Sequence, residues 1–233
     1  MLSPRLKALA QQVPAGAKLA DIGTDHGLVP VYLAKNRTVT KVIATDISEG
    51  SLQKARELIN EENLNDIIET RLGSGLKVIK PGEVDTIIIA GMGGVLISEI
   101  LDDSRDVLKS ASKLILQPMN APQLLRRWLV EQGFTIYHEL LVRDGKHLYE
   151  IIVAKEGIQE VKDDIQYEIG FKLMQNKDPL FEDFISTKIS KAEAIIRQLQ
   201  RQDTERARER MKQLTQKLKK YKEAYKCFVQ LKD

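Results

Sequence analysis

The N-terminal part of this chain alternates short apolar runs with amphipathic stretches, and that alternation restricts it to few architectures. KLADIG (18–23), KVIATDI (41–47), DTIIIAG (85–91) and KLILQP (113–118) read as buried strands, with a weaker candidate in IIETRLG (67–73). Between them, PVYLAK (30–35), SEGSLQKARELINEEN (48–63), GGVLISEILDDS (93–104) and APQLLRRWLVEQG (121–133) have helical spacing and stop near Gly or Asn. Strands separated by roughly 20 to 25 residues with a helix in the gap are repeated βα units, so the expected fold is α/β with a parallel sheet. After Gly133, two alternating runs flank Asp144-Gly145 and predict a hairpin, so the sheet should end in an antiparallel pair.

From Asp178 onward the strand signal is gone. Ile185, Ile189, Ala192, Ile196 and Leu199 form one seam of alternating four- and three-residue steps, and Met211, Leu214, Leu218, Tyr221, Tyr225 and Phe228 form another. The polar stretch RQDTERARER separates them, with Asp203 or Thr204 suited to cap the second helix. Each seam is too short for a long parallel coiled coil, so the simplest packing is an antiparallel helical hairpin; a single long helix that dimerises is the alternative. Two domains are expected, residues 1–155 and a helical coiled-coil domain over 156–233.

Charge follows the same division. Residues 1–154 hold 18 basic and 19 acidic side chains, whereas residues 186–232 hold 14 and 5. The whole-chain net of +3 conceals this basic end. Such a run is either a solvated face or a footprint for phosphates. At 233 residues there is room for one ordinary domain and an appendage, and 42% hydrophobic residues exclude a wholly disordered chain. The single Cys, Cys227, excludes a disulfide framework and a Cys-based zinc site, and is read as a small packing residue. A reducing, cytoplasmic setting is therefore expected. No apolar run approaches the roughly 18 residues of a spanning helix, and the N-terminus lacks a secretory pattern. His138 and His147 are not spaced with carboxylates as metal ligands, so no metal is expected.

In a doubly wound sheet, ligands bind beyond the carboxyl ends of the strands. The first such loop is DIGTDHG, with Asp21, Gly23, Asp25, His26 and Gly27; the second strand ends at Asp46, where a carboxylate can accept from ribose hydroxyls. A dinucleotide site wants G-x-G-x-x-G, and this loop has no glycine between Gly23 and Gly27. The three carboxylates Asp21, Asp25 and Asp46 would repel a diphosphate but suit S-adenosylmethionine, which carries an ammonium and a sulfonium. Any one of these residues alone is as well explained as an ordinary turn residue. LGSGL, with Ser74 and Gly75, lies where this architecture covers an adenine ring, and a triple-Ile strand empties into Gly91-Met92-Gly93-Gly94. Gln117 and Asn120 carry amides able to meet the Watson-Crick edge of a base, although both are also common turn residues.

DIGTDHG followed by TDI, LGSGL, IIIAGMGG and LQPMN, with a basic helical extension, resembles the TrmK family of bacterial tRNA adenine-22 N1-methyltransferases. The resemblance runs from about Leu2 to the hairpin near Glu150, and implies a class I (Rossmann-like) methyltransferase domain followed by a coiled-coil domain. It implies that Gly23 and Asp25 line S-adenosylmethionine, that Asp46 holds its ribose, and that Gly91 and Met92 face the methyl-transfer centre. Two positions depart from the family: Asp46 stands where several members have Glu, and Met119 intervenes between the Gln-Pro pair and Asn120.

Adenine N1 is tied up in pairing or stacking, so the target must be exposed or flipped into a pocket. In-line alignment then matters more than a strong base. Asp25 is the candidate to accept from N6 or balance the product's charge, with His26 supporting it or merely satisfying its own loop. With tRNA as partner, Arg197, Arg201, Arg206, Arg208, Arg210, Lys217, Lys219, Lys220 and Lys222 are expected to track phosphates, with Arg5, Lys7, Arg126 and Arg127 extending the patch. A monomer is expected. The rivals are methylation of another RNA or a protein, a non-catalytic RNA-binding or assembly role, and an NAD-dependent enzyme.

Overall fold

The computed structural model describes residues 2–232 and divides them into two compact units, the first ending at Glu160 and the second beginning at Val161. In the first unit, α1 (Pro4–Ala10) leads into β1 (Ala17–Ile22), α2 (Leu28–Lys35), β2 (Val39–Asp46), α3 (Glu49–Glu61) and β3 (Ile68–Leu72). A short 3-10 turn over Gly75–Val78 precedes β4 (Thr86–Gly93), α4 (Gly94–Asp102), α5 (Arg105–Ser110), β5 (Lys113–Asn120) and α6 (Pro122–Glu131). The hairpin β6 (Phe134–Asp144) and β7 (His147–Glu156) closes it.

These strands form one sheet in the order β3-β2-β1-β4-β5-β7-β6. The first five run parallel and β7 pairs antiparallel with both β5 and β6, so the expected Rossmann-like sheet with an antiparallel end is present. Burial on both faces explains why the strands read as continuous apolar runs. Leu19, Ile88 and Ile115 pack with residues of α1, α2 and α3, while the alternate residues Ala20, Ile87, Ile89 and Leu116 are equally buried. Chain order reverses between β1 and β4, which opens the crevice at their carboxyl ends.

Three features of this unit differ from the sequence expectation. The segment before β1 is a helix: Ser3 Oγ accepts from the Leu6 amide at 3.4 Å and Pro4 occupies the first turn. α5 is an additional short helix before β5. The Gly-Met-Gly and Gln-Pro-Met-Asn segments, expected as loops, are strand continuations with Met92 opposite Pro118 and Gly93 opposite Asn120. An irregularity at Gly91, φ +79°, permits this, because a bulge absorbs the extra residue while pairing resumes beyond it.

The second unit contains α7 (Ile165–Ile169), α8 (Phe181–Leu199) and α9 (Glu205–Lys232). Phe181 packs against Phe228 with ring centroids 4.6 Å apart and the rings tilted by 49°, and Lys222 Nζ meets Glu193 2.7 Å away, so α8 and α9 run antiparallel. Ile185, Ala192, Leu214, Tyr221 and Phe228 are buried along this contact. The chain breaks between the two helices, and Thr204 Oγ1 accepts from the Ala207 amide at 3.1 Å, so Thr204 rather than Asp203 caps α9. Among the described residues, no helix is long and apolar enough to cross a membrane.

Candidate active site

The loop after β1 turns sharply because Gly23 (φ +72°), Asp25 (φ 53°) and Gly27 (φ +69°) all adopt left-handed backbone. Asp25 is the costly member, since a residue with a Cβ disfavours that region. Its amide donates to Asp46 Oδ2 at 3.2 Å, and the Ser48 amide donates to Asp46 Oδ1 at 2.9 Å. Asp46 is thereby fixed at the end of β2, with lone pairs left over. Exposed Ile47 and Leu72 flank it.

Asp21 lies deeper, 6% exposed, and its Oδ2 accepts from Thr24 Oγ1 at 2.7 Å. Burial pushes its pKa up to about 6, against the lowering effect of the Thr24 hydrogen bond, and the Asp46 charge adds to the rise. Asp25 and His26 stand at the mouth, His26 Nε2 3.4 Å from Asp25 Oδ1, with both side chains largely exposed.

A cavity of about 300 Å³ opens here. Asp21, Gly23, Asp25, His26 and Gly91 line it, together with Arg5 from α1. Met92 borders it indirectly: a Cβ on Gly23 would lie 2.3 Å from Met92 Cε, so the glycine is what lets Met92 sit there. Asp46 is tied to it through the Asp25 amide. Ser74 is exposed beyond β3, and the neighbouring turn is held to β2 by Thr45 Oγ1 donating to the Gly75 carbonyl at 3.5 Å. Gly27 and Gly75 have packing reasons of their own, since a Cβ would meet Ala55 in α3 at 3.1 Å and Ile100 in α4 at 2.9 Å.

Gln117 corrects the expected contact with a substrate base. It is fully buried; its Oε1 accepts from Arg5 Nη1 at 2.6 Å and from the Gly91 amide at 3.3 Å, while Nε2 donates to the Pro118 carbonyl and towards Met119 Sδ. Both acceptor sites and both donors are in use, so its amide holds the Gly91 bulge and Arg5 in place instead. Arg126 is a second correction. Expected on a tRNA-facing patch, it is 0% exposed, with Nε 2.7 Å from Glu139 Oε1 and Nη2 2.7 Å from Glu150 Oε2. The amphipathic turn of α6 puts it inward and its neighbour Arg127 outward. In the second unit Arg197 and Arg201 are exposed, Arg208 pairs with Asp203, Lys217 with Glu168 at 2.5 Å, and Lys220 with Asp163 at 2.6 Å. Arg5, grouped by sequence with the basic patch, is the residue of this cavity that sequence reasoning misplaced.

The family model described as tRNA (adenine(22)-N(1))-methyltransferase, TrmK, matches residues 19–223. The chain belongs to the TrmK family. The tRNA (adenine(22)-N(1))-methyltransferase of Bacillus subtilis (strain 168) is 34% identical over 228 residues, 95% of this chain and 96% of that one. The crystal structure of the B. subtilis TrmK superposes with a TM-score of 0.88 at 32% identity, covering 97% of this chain and 99% of that one. Streptococcus pneumoniae Sp1610, solved in complex with S-adenosyl-L-methionine, gives a TM-score of 0.87 at 31% identity over 97% of this chain and 100% of that one. The likeness to TrmK proteins thus includes both units, and the cavity lies at the crevice where their shared sheet reverses order.

Proposed function

We propose that this chain transfers the methyl group of S-adenosylmethionine to N1 of adenine 22 in tRNA, acting as a monomer in the cytoplasm. The observation that carries the cofactor is the acidic crevice itself. Asp21, Asp25 and Asp46 converge at the ends of β1 and β2, a setting that repels a diphosphate and receives a cationic, hydroxyl-bearing ligand. The residues fit that group: Asp46 is held by two amides with acceptor capacity to spare, and Gly23 leaves backbone accessible in the turn. When bound, S-adenosylmethionine supplies a methyl group on a sulfonium. The chain's own residues then orient and exclude water. Asp46 would take the ribose hydroxyls, while Gly91 and Met92, fixed from behind by Gln117, would face the base. Asp25, exposed at the mouth with His26 against it, would accept from the adenine N6 or balance the charge that N1 methylation creates.

The test is incubation with labelled S-adenosylmethionine and unmodified tRNA, followed by mapping of the labelled nucleotide. Label at N1 of adenine 22 is the expected outcome; label on another nucleotide, or none, refutes it. Asp25→Ala should then lower turnover about a hundredfold while cofactor affinity holds. Full turnover in that variant would remove Asp25 from the mechanism.

A further inference from the structure

The sheet gathers positive charge at its end away from the crevice. Lys113 opens β5 and Lys155 lies near the end of β7; because Leu114 stands opposite Ala154, the two lysines come from one level of adjacent strands. Like charges so placed destabilise a sheet. Both ammonium groups approach the same ring, Lys113 Nζ at 5.8 Å and Lys155 Nζ at 5.4 Å from the centroid of Tyr137. Tyr137 is the extra residue of a bulge in the edge strand β6, where the register with β7 shifts between Ile136 and His138. A bulge re-aims the side chain it carries, here towards the two lysines.

No carboxylate answers this pair. Lys35, Lys41 and Lys77 of the same unit each meet an acid, Glu62, Glu69 and Asp103. Among the described residues, Lys113 and Lys155 form no ion pair. Asp85 borders them, its carbonyl accepting from the Lys113 amide at 3.1 Å, yet its carboxylate is taken by the Lys18 amide and the Thr86 hydroxyl. Lys113 is half-buried, and burial pushes its pKa down. The face of a tyrosine attracts a cation without cancelling its charge. Two cations are therefore held together at a cost that an anion would relieve. Lys155 and Tyr137 are exposed, so the place is an open shelf, suited to a group presented by a large ligand. Lys113 stands four residues of strand, about 13 Å, from Gln117, which holds the wall of the crevice at Gly91. A polyanion with one end in the crevice is long enough to reach both.

We propose that Lys113, Lys155 and Tyr137 form a phosphate-binding shelf that holds the backbone of the substrate tRNA while the target adenine occupies the crevice. The inference rests on the tRNA substrate of the proposed function and places an anchor in the first unit, apart from the basic helices. Contacts of this kind position the RNA without reading its sequence. A small free phosphate is the other source of the same chemistry, and the experiment separates the two.

The test measures tRNA binding and methylation by the full chain across a salt series. It compares the wild type with the double variant Lys113→Gln, Lys155→Gln and with a charge-matched control, Lys54→Gln, Lys109→Gln, which removes two exposed lysines elsewhere in the unit. Loss of the shelf should weaken tRNA binding about tenfold at low salt and raise KM for tRNA by the same factor, with kcat and S-adenosylmethionine affinity unchanged. The slope of log affinity against log salt should fall by about 1 to 2. The control should keep the wild-type slope, and Lys113→Arg with Lys155→Arg should restore binding. The melting temperature of the shelf variant should equal or exceed that of the wild type, because a like-charge pair is removed. Unchanged KM and slope in the shelf variant would overturn the inference, as would equal losses in the shelf variant and the control, the signature of bulk charge. A lower melting temperature together with weaker cofactor binding would mark the lysines as structural and overturn it too. Calorimetry with inorganic phosphate supplies the last arm: binding that the shelf variant loses while its tRNA affinity stays at the wild-type value would assign the shelf to a small anion and remove the RNA. A wild type that binds no tRNA would overturn the proposed function as well, whereas a wild type and a shelf variant that bind and methylate it equally overturn this inference alone.

Discussion

Arg126 and Arg5 sit in the same compact unit, built from the same chemistry, and end in opposite states. Around Arg126 the chain supplies its own carboxylates, Glu139 and Glu150 on the hairpin, and Arg126 and Glu139 are closed to solvent while Glu150 is only partly so. Around Arg5 the chain supplies only an amide and a ring, and the acids that share its cavity, buried Asp21 and exposed Asp25, form no ion pair with it. The contrast teaches that a buried charge answered from within holds elements together, here α6 to β6 and β7, whereas one left unanswered marks where a ligand belongs. Breaking the closed cluster should have the largest effect. Arg126→Ala leaves Glu139, 1% exposed, without its cation and should cost about 3–5 kcal/mol in denaturant unfolding. Replacing all three members together by apolar residues of similar volume should recover most of that loss. Arg5→Ala should shift the same unfolding curve by under about 1 kcal/mol. A stable Arg126→Ala, or an Arg5→Ala as damaged as Arg126→Ala, would dissolve the distinction.

The glycines divide along the same line, with a smaller effect. A Cβ on Gly94 would lie 2.5 Å from the Ala121 carbonyl oxygen and 3.0 Å from that of Asn120, so backbone would have to move where α4 starts beside the end of β5. Gly94→Ala should therefore cost about 1–3 kcal/mol of stability, read by thermal or denaturant unfolding. At Gly91 the nearest atom to such a Cβ is Arg5 Nη1 at 3.9 Å, and the strain is that of φ +79° alone. Gly91→Ala should lose less stability than Gly94→Ala and relatively more turnover, because it disturbs the bulge facing the cavity. Equal losses of stability at the two positions would show that packing governs both.

Where the sequence was informative, the information was local. The Ile run 87–89 and its counterparts are buried on both faces, a condition that composition alone records, and all five parallel strands begin within two residues of where the sequence places them. The seams of α8 and α9 were legible for the same reason, since spacing along one helix defines a face. Asp21, Gly23, Asp25 and His26 were legible because a single βα turn carries them. What escaped depends on partners distant in sequence. Adjacent Arg126 and Arg127 are chemically identical in a list, and only the rotation of α6 against Glu139 and Glu150 tells them apart. Gln117 looked like a free amide until Arg5, 112 residues away, proved to be bonded to it. The pairing of Met92 with Pro118 is likewise a property of two strands. α1 is the exception, a local signal passed over, since Ser3-Pro4 is an ordinary helix start.

The smallest effect is the one with the clearest sign. Asp21 in the free chain has its pKa raised from 3.8 to about 6, chiefly by burial. A folded-state pKa above the unfolded value means that protonated Asp21 favours folding: its contribution is complete below about pH 4 and is lost as pH rises through 6. An ammonium placed beside it reverses the preference, since a nearby cation favours the carboxylate. Cofactor affinity should consequently rise as pH rises, by about tenfold between pH 5 and pH 7, and level off above that. The groups that bear on this titration are Thr24, which donates to Asp21, and Asp46, which repels it; Arg5, Asp25 and His26 line the same cavity. The comparison pairs Asp21→Asn with His26→Gln, because His26 is the cavity's imidazole and stands at its mouth. Calorimetry across the pH series should give a flat profile in Asp21→Asn and a wild-type slope in His26→Gln. The reverse pattern would transfer the pH dependence to the mouth of the cavity and leave Asp21 as a residue that merely anchors the turn through Thr24.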